Sequence, residues 1–401
     1  MKYISIFSKH FWPENFKIND IAFELKKKYK LSVFTAKPGY NNIKYDNNLN
    51  YRRYKGIDIN YFYNYSKGSG TFLSIFLNYF SYVFNLTYQL IFYRKKKADI
   101  IFTFATSPIF QTIPALYFSK LKKIPSVVWV QDLWPEVLED TGYIKNKFIL
   151  KLIDKFVKFI YLKSDTIITQ SDSFKKHLKK KYNLKKKIYT LYQPSEFKFQ
   201  KFNNSNNKID FITYAGNFGN AQDFEILINA FKSKKLKENI KLNLIGSGKQ
   251  YQNVKEKIEL YKLKSKIKLI PYMTKNKLKK ILSSSSALII TLKNGKSLNK
   301  TIPGKFQSYV SFGKPLLVSS NSVVNSMVSK NGIGFVSKFN DLNTFIYNIN
   351  KIPNLSGKKK KKIYLCSKKV YEQKFDINKI TNKLIYILKD THKNYVKKVI
   401  L

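Results

Sequence analysis

Short apolar runs alternate with amphipathic stretches along most of this chain. KYISIFS (2–8), LSVFTA (31–36), ADIIFTFA (98–105), SVVWVQ (126–131) and DTIITQS (165–171) read as buried strands. Turn-forming residues end three of them: Lys37-Pro38-Gly39, Thr106-Ser107-Pro108 and Asp132-Leu133-Trp134-Pro135. Residues 17–28 place Ile18, Ile21, Ala22 and Leu25 at the spacing of one helical face. Strands alternating with helices predict an α/β domain with a mostly parallel sheet.

Residues 187–208 break this rhythm, and their polar, Asn-rich second half reads as a linker. The alternation then restarts. DFITYAG (210–216), IKLNLIGSG (240–248), KIKLIPY (266–272), SALIITL (286–292), KPLLVSS (314–320) and GIGFVSK (332–338) read as strands. Helices are expected over 224–231, around 254–263 and over 275–282. The lysine run 358–362 reads as a solvated loop or helix start, and 375–388 as an amphipathic helix. At 401 residues the chain is too long for one ordinary core. The expected division is an N-terminal domain (1–192), a linker (193–208), a second α/β domain (209–370) and a C-terminal helical segment (371–401) packing back on the first domain.

One segment departs from both patterns. Residues 68–93 carry no charge and are followed at once by Arg94, Lys95, Lys96 and Lys97. The length suits a membrane span, but Ser74, Asn78, Ser81, Asn85, Thr87 and Gln89 are scattered through it. Three readings stay open, in this order: a helix lying in the membrane surface beside the basic cluster, a core helix, and a span.

Charge changes the picture less than its size suggests. The formal net charge is +51, from 75 basic residues of which only Arg52, Arg53 and Arg94 are arginine. Lys, Asn, Ile, Phe and Tyr are abundant together, as in AT-rich coding sequence. A nucleic-acid binder would use more arginine for bidentate contacts, so specific nucleic-acid recognition is not expected. The positive field still favours anionic surfaces, membrane lipid included. Cys366 is the single cysteine, so no intrachain disulfide is possible, which fits a reducing compartment. The N-terminal apolar run is too short for a signal peptide, and a cytoplasmic location is expected.

Ligands of open α/β sheets sit beyond the carboxyl ends of the strands, so the residues there are the candidates. The second half offers Gly216-Asn217-Phe218-Gly219-Asn220-Ala221-Gln222, then Gly246-Ser247-Gly248, then Thr301-Ile302-Pro303-Gly304-Lys305. Such turns let backbone N–H groups approach a phosphate. Each alone is weak, because glycine often only closes a turn. No Cys/His spacing suggests a metal site, no Asp-x-Asp run occurs, and no Gly-x-Ser-x-Gly elbow is present. No cofactor is expected.

In order along the chain stand FWPENFKINDIAFEL, LSVFTAKPGY, ATSPIF, VWVQDLWPEV, SDTIITQSDSFKKHL, YAGNFGNAQDFEILINAF, LIGSGKQ and TIPGKFQSYVSFGKPLL. With these pieces the chain resembles glycosyltransferase family 4, and within it the N-acetyl-L-fucosamine and related N-acetylamino-sugar transferases of surface-polysaccharide assembly. The resemblance implies the GT-B fold, two facing Rossmann-like domains, and metal-independent, retaining transfer from a nucleotide-sugar, expected to be UDP-linked, to a lipid-linked saccharide. It also implies site residues. Most of the family carries two glutamates eight positions apart that hold donor sugar and ribose; here these places hold Asn299 and Gln307. An Arg and a Lys that clamp the diphosphate are replaced by Asn217 and, near the Lys position, Gln222. Lys305 is the candidate to replace those cations, helped by backbone N–H groups of Gly219, Ile302 and Gly304; otherwise it is a surface turn lysine. Asp132, with no histidine beside it, is assigned to orient the acceptor hydroxyl or donor sugar, or else caps the following helix. Glu14, Asn15 and Lys17 are expected on the acceptor side, and Glu136 and Glu139 on the surface. The alternatives carried are a non-hydrolysing UDP-sugar epimerase of the same fold and a degenerate protein that binds donor without turnover.

Overall fold

A computed structural model describes residues 1–39, 53–66, 72–93, 98–202 and 209–400. The basic cluster 94–97 and the Asn-rich end of the linker, 203–208, lie outside the described residues. The chain divides into two compact units: 1–136 with 144–192 and 377–401, and 137–143 with 193–376. The expected division had placed 137–143 with the N-terminal domain and 371–376 with the C-terminal segment.

The first unit is built on eight strands: β1 (Tyr3–Phe7), β2 (Lys30–Ala36), β3 (Arg53–Tyr54), β4 (Ile57–Phe62), β5 (Ile100–Ala105), β6 (Ser126–Val130), β7 (Thr166–Thr169) and β8 (Ile188–Thr190). Their order is β3-β4-β2-β1-β5-β6-β7-β8, parallel except for the β3–β4 pair. Successive side chains of β1 point to opposite faces, as the pleat requires. Ile4 and Ile6 join one core, which helices α1 (Lys17–Leu25) and the C-terminal helix cover. Phe7 joins another, with Phe34, Tyr82, Leu86, Leu90 and Phe118. That face is covered by α2 (Phe72–Ile91) and α3 (Ile113–Lys122), which follows a 3-10 turn at Ile109–Thr112. Helices α5 (Lys147–Lys163) and α6 (Asp172–Tyr182) complete the first unit up to β8, while α4 (Glu136–Asp140) lies mostly in the segment 137–143 of the second. Side-chain caps fix two of these starts: Asn146 Oδ1 accepts from the N–H groups of Phe148 and Ile149, and Ser171 Oγ from that of Phe174.

The second unit carries β9 (Asp210–Ala215), β10 (Ile240–Ile245), β11 (Ile267–Ile270), β12 (Ala287–Thr291), β13 (Leu316–Ser319) and β14 (Gly334–Ser337), in the all-parallel order β11-β10-β9-β12-β13-β14. The intervening helices are α7 (Phe224–Lys232), α8 (Tyr251–Leu260), α9 (Lys275–Ser284), α10 (Gly304–Val310), α11 (Val323–Asn331), α12 (Leu342–Asn350) and α13 (Gly357–Lys374). The strand order reverses between β9 and β12, the position at which open α/β sheets hold ligands. In the first unit the same reversal falls between β1 and β5. The lysine run 358–362 is the first turn of α13, started by the Ser356 side chain on the Lys359 N–H.

The last helix, α14 (Ile377–Ile400), belongs to the first unit. Ile380, Leu384, Ile387 and Leu388 repeat at helical spacing and enter the core beside α1. Asp390 accepts from the Tyr189 hydroxyl at 2.6 Å, and Thr391 donates to Thr166 at 2.8 Å, tying the helix to β8 and β7.

Helix α2 buries one side in the first unit and leaves the other exposed. Asn78, Tyr82, Leu86 and Leu90, four residues apart, are buried, while Phe76, Phe80, Phe84 and Tyr88 form an exposed row. Its polar groups are satisfied within the protein: Thr87 Oγ1 donates to the Val83 carbonyl, Gln89 to Asn85, and Asn78 meets Lys9 Nζ. Among the described residues no helix is long and apolar enough to cross a membrane.

Candidate functional site

The best-defined cluster of candidates lies in the second unit, beyond the ends of β9 and β12. Lys305, in the first turn of α10, reaches back under the loop that follows β9. Its Nζ donates to Gln222 Oε1 at 2.6 Å and stands 3.8 Å from the centre of the Tyr214 ring. Its aliphatic end lies 3.5 Å from where a Cβ on Gly216 would be. Burial pushes the Lys305 ammonium well below its ordinary value. The partners present are an amide oxygen and an aromatic face. That set offers the ammonium no counter-charge, and an anion placed there would favour its charged form.

The loop that makes this possible is held by backbone. Tyr309, one turn further along α10, accepts from the Ala215 N–H at 2.6 Å and donates to the Ala215 carbonyl at 3.0 Å. The Tyr214 hydroxyl donates to the Asn217 carbonyl at 2.8 Å. Phe218 N–H donates to Ser247, and Gln250 N–H to Phe218, so the loops after β9 and β10 are stitched together. Gly246 and Gly248 owe their identity to this approach. Both have positive φ, and a Cβ on Gly246 would stand 2.0 Å from the Gly216 carbonyl oxygen. A Cβ on Gly248 would stand 2.3 Å from the Asn217 Oδ1. The two glycines are thus explained by loop packing, the plainer of the readings the sequence offered. Asn217 is tucked against Gly219 and Gly248.

The loop between β12 and α10 brings the remaining donor-side candidates. Thr301 Oγ1 donates to the Ser297 carbonyl at 2.9 Å, and Ile302 is buried. Pro303 precedes the helix in extended backbone, and Gly304 begins it. The helix has only 7 residues, so the lysine rather than its dipole is the main positive feature. Asn299 donates from Nδ2 to Asn294 at 2.8 Å, while its Oδ1 is buried with no partner among the described residues. Gln307 is fully buried. Oriented to satisfy its surroundings, its amide nitrogen donates to the carbonyls of Pro303 (2.9 Å) and Gly304 (2.7 Å). It locks the turn that carries Lys305 from beneath.

The segment 137–143 adds to this unit a feature the sequence did not announce. The Asp140 carboxylate accepts from the N–H groups of Lys296 (2.9 Å), Ser297 (2.6 Å) and Leu298 (3.2 Å). It thereby fixes the start of the turn that leads to Asn299.

In the first unit, Asp132 follows β6 and accepts from the Ser107 hydroxyl, after β5, at 2.7 Å. Trp134 Nε1 donates to the same hydroxyl at 3.1 Å. Burial raises the Asp132 carboxyl above its ordinary value, although hydrogen bonds from Ser107 pull the other way. Its partner is Ser107 and the nearest helix starts at Glu136, which removes helix capping as its role. After β1, the Glu14 carboxylate is buried. It meets His10 Nδ1 at 2.7 Å and accepts from the Gly39 N–H at 2.7 Å. Asn15 is exposed beside it, and Lys17 is half-buried at the start of α1. Glu14 therefore anchors its own loop. His10, passed over in the sequence, is its partner, stacked on Phe16 at 4.6 Å.

Glu136 corrects another expectation. It is buried, and its Oε1 accepts from His177 Nε2 (2.8 Å) and Lys181 Nζ (2.7 Å). Burial opposes its charge, but hydrogen bonds from His177 and Lys181 outweigh that and hold the carboxyl down at about 2. Glu139 is on the surface, paired with Lys296. Among the described residues no three His, Cys, Asp or Glu side chains gather as a metal site.

Residues 195–370 match the model of the glycosyl transferases group 1 family. No curated protein matches the sequence. Among solved structures, HepE from Anabaena, in complex with UDP and glucose, aligns with a TM-score of 0.71 at 12% identity, covering 97% of this chain and 100% of that one. A glycosyltransferase from Rickettsia africae aligns at 0.66 with 14% identity, covering 98% and 99%. WaaG, a glycosyltransferase involved in lipopolysaccharide biosynthesis, aligns at 0.64 with 13% identity, covering 97% and 99%. The second unit thus carries a glycosyl transferases group 1 domain, and the chain has the two-sheet α/β fold, GT-B, of these glycosyltransferases.

Proposed function

We propose that this chain transfers an N-acetylamino sugar from a UDP-linked donor to a lipid-linked saccharide, with retention, in the assembly of a surface polysaccharide. The group 1 domain supports the reaction class. The UDP bound by HepE, alike in fold, supports the nucleotide, and WaaG supports the setting.

The observation that carries the reading is Lys305. It is a half-buried lysine whose amine lies against Tyr214 and Gln222 at the strand-order reversal. Transfer breaks the bond between the sugar C1 and the diphosphate and forms one from C1 to the acceptor oxygen. Charge develops on the departing diphosphate, and a fixed ammonium stabilises it. The acceptor proton passes to that leaving group. Gly216, Asn217, Gly219 and Gln222 shape and hold the diphosphate loop, and the backbone of Thr301, Ile302, Pro303 and Gly304 forms its other wall. The unpartnered Asn299 Oδ1 accepts a hydrogen bond from a hydroxyl of the donor sugar. Asp132 orients the acceptor hydroxyl, and Asn15 and Lys17 stand on the acceptor side. The exposed aromatic row of α2 and the basic residues after it hold the protein at an anionic membrane face.

The test is release of UDP from a panel of UDP-N-acetylamino sugars, with and without an undecaprenyl-diphosphate-linked saccharide. Release that requires acceptor is expected for one donor. Epimerised donor appearing without acceptor would replace the transferase reading by an epimerase. Binding of UDP without release under any pairing would replace it by a donor-binding protein without turnover.

A further inference from the structure

Helix α5 has the opposite of a water-facing surface. Its buried side, Leu150, Val157, Ile160 and Tyr161, packs into the first unit. Its outward side carries Phe148, Leu152, Phe156, Phe159 and Leu162 at the spacing of a second apolar stripe. Phe148 is 76% exposed and the other four about half exposed. Lys147, Lys151, Lys155 and Lys158 run alongside that stripe, all exposed. The one acid of the helix, Asp154, is turned away to the Tyr182 hydroxyl (2.6 Å) and to Lys181 (2.6 Å).

This helix is not isolated from the aromatic row of α2. Both helices pack against the 3-10 turn Ile109–Thr112 and against α3, on one face of the sheet. Phe110 of that turn meets Phe156 edge-on at 6.2 Å. Clusters of exposed large apolar side chains on neighbouring helices are a feature of interaction sites.

We infer that the outward faces of α2 and α5 form one docking platform for an anionic lipid bilayer. This rests on the membrane reading above and assigns α5, which the sequence left unremarked, as its second half. Charge selects the occupant. The apolar stripe of α5 flanked by lysine, with its one acid withdrawn, and the uncharged aromatic row of α2 match a lipid surface of opposite sign. Two copies of a chain with net charge +51 would bring the same lysine rows face to face.

The test uses the full chain and sedimentation with phosphatidylcholine vesicles, with and without phosphatidylglycerol, at physiological salt. Two variants are compared with wild type: Phe148→Ser with Leu152→Ser, and Phe80→Ser with Phe84→Ser. All four side chains are exposed, so the melting temperature is expected to hold and to show that each variant is folded. Wild type should bind the anionic vesicles and not the neutral ones, and each double variant should lower the partition coefficient roughly tenfold or more. Loss in the α2 variant with wild-type binding in the α5 variant would overturn the platform while leaving the α2 anchor. Absence of binding by wild type would overturn both. A wild-type dimer in light scattering that the α5 variant converts to monomer, without vesicle binding, would make this face a contact between copies instead.

Discussion

A turn lysine in a chain with 75 basic residues means little until its neighbours are known. The role proposed for Lys305 rests on Tyr214, Gly216 and Gln222 lying against it. Gln307 shows the reverse. Its position in the resemblance suggested a ligand contact, but it is buried and faces two carbonyl oxygens. A carboxylate in its place would be desolvated against acceptors. Gln307→Glu is therefore expected to lower stability by about 3–5 kcal/mol, by analogy with other uncompensated buried charges. Urea denaturation measures this; a variant as stable as wild type that binds UDP more tightly would return the residue to the ribose.

At the scale of elements, loops are positioned by side chains distant in sequence. The turn after the Trp134-Pro135 pair is held by Glu136 through His177 and Lys181 on α6. The folded carboxyl is held at about 2, against an ordinary 4.5. A depressed carboxyl contributes stability above its unfolded value and loses it as pH falls through the folded one. Wild type should thus lose stability between about 4.5 and about 2 more steeply than Glu136→Gln. The variant should also cost about 1–3 kcal/mol at neutral pH. Denaturation at several pH values checks both; parallel curves would remove the ion pair from the account. The strands were legible because a parallel sheet covered on both faces demands continuous apolar runs. The Glu136–His177 and Asp132–Ser107 pairings were not, since neither partner carries a local pattern pointing to the other. Helix α5 escaped notice because two apolar stripes and a lysine row blur the period that reveals an ordinary amphipathic helix.

Over the whole molecule, two sheets share one ordering principle, with the order reversing at β1/β5 and β9/β12. The sequence placed its candidates at strand ends beside these reversals because that rule depends only on connectivity. It did not separate the glycines that pack loops, Gly246 and Gly248, from the lysine proposed to meet the diphosphate, because only adjacency of β9, β10 and α10 makes the difference.

The central claim is that Lys305 receives the donor diphosphate, and calorimetric titration of UDP tests it most directly. Wild type and Lys305→Ala would each be titrated in buffers of different ionisation enthalpy and at two pH values. Burial depresses the free ammonium, and a bound anion favours its charged form, so binding should take up protons and weaken as pH rises. The alanine variant should lose affinity by roughly tenfold or more, about 1.4 kcal/mol, together with that part of the proton uptake. Equal affinity and equal proton uptake in the two proteins would contradict the account.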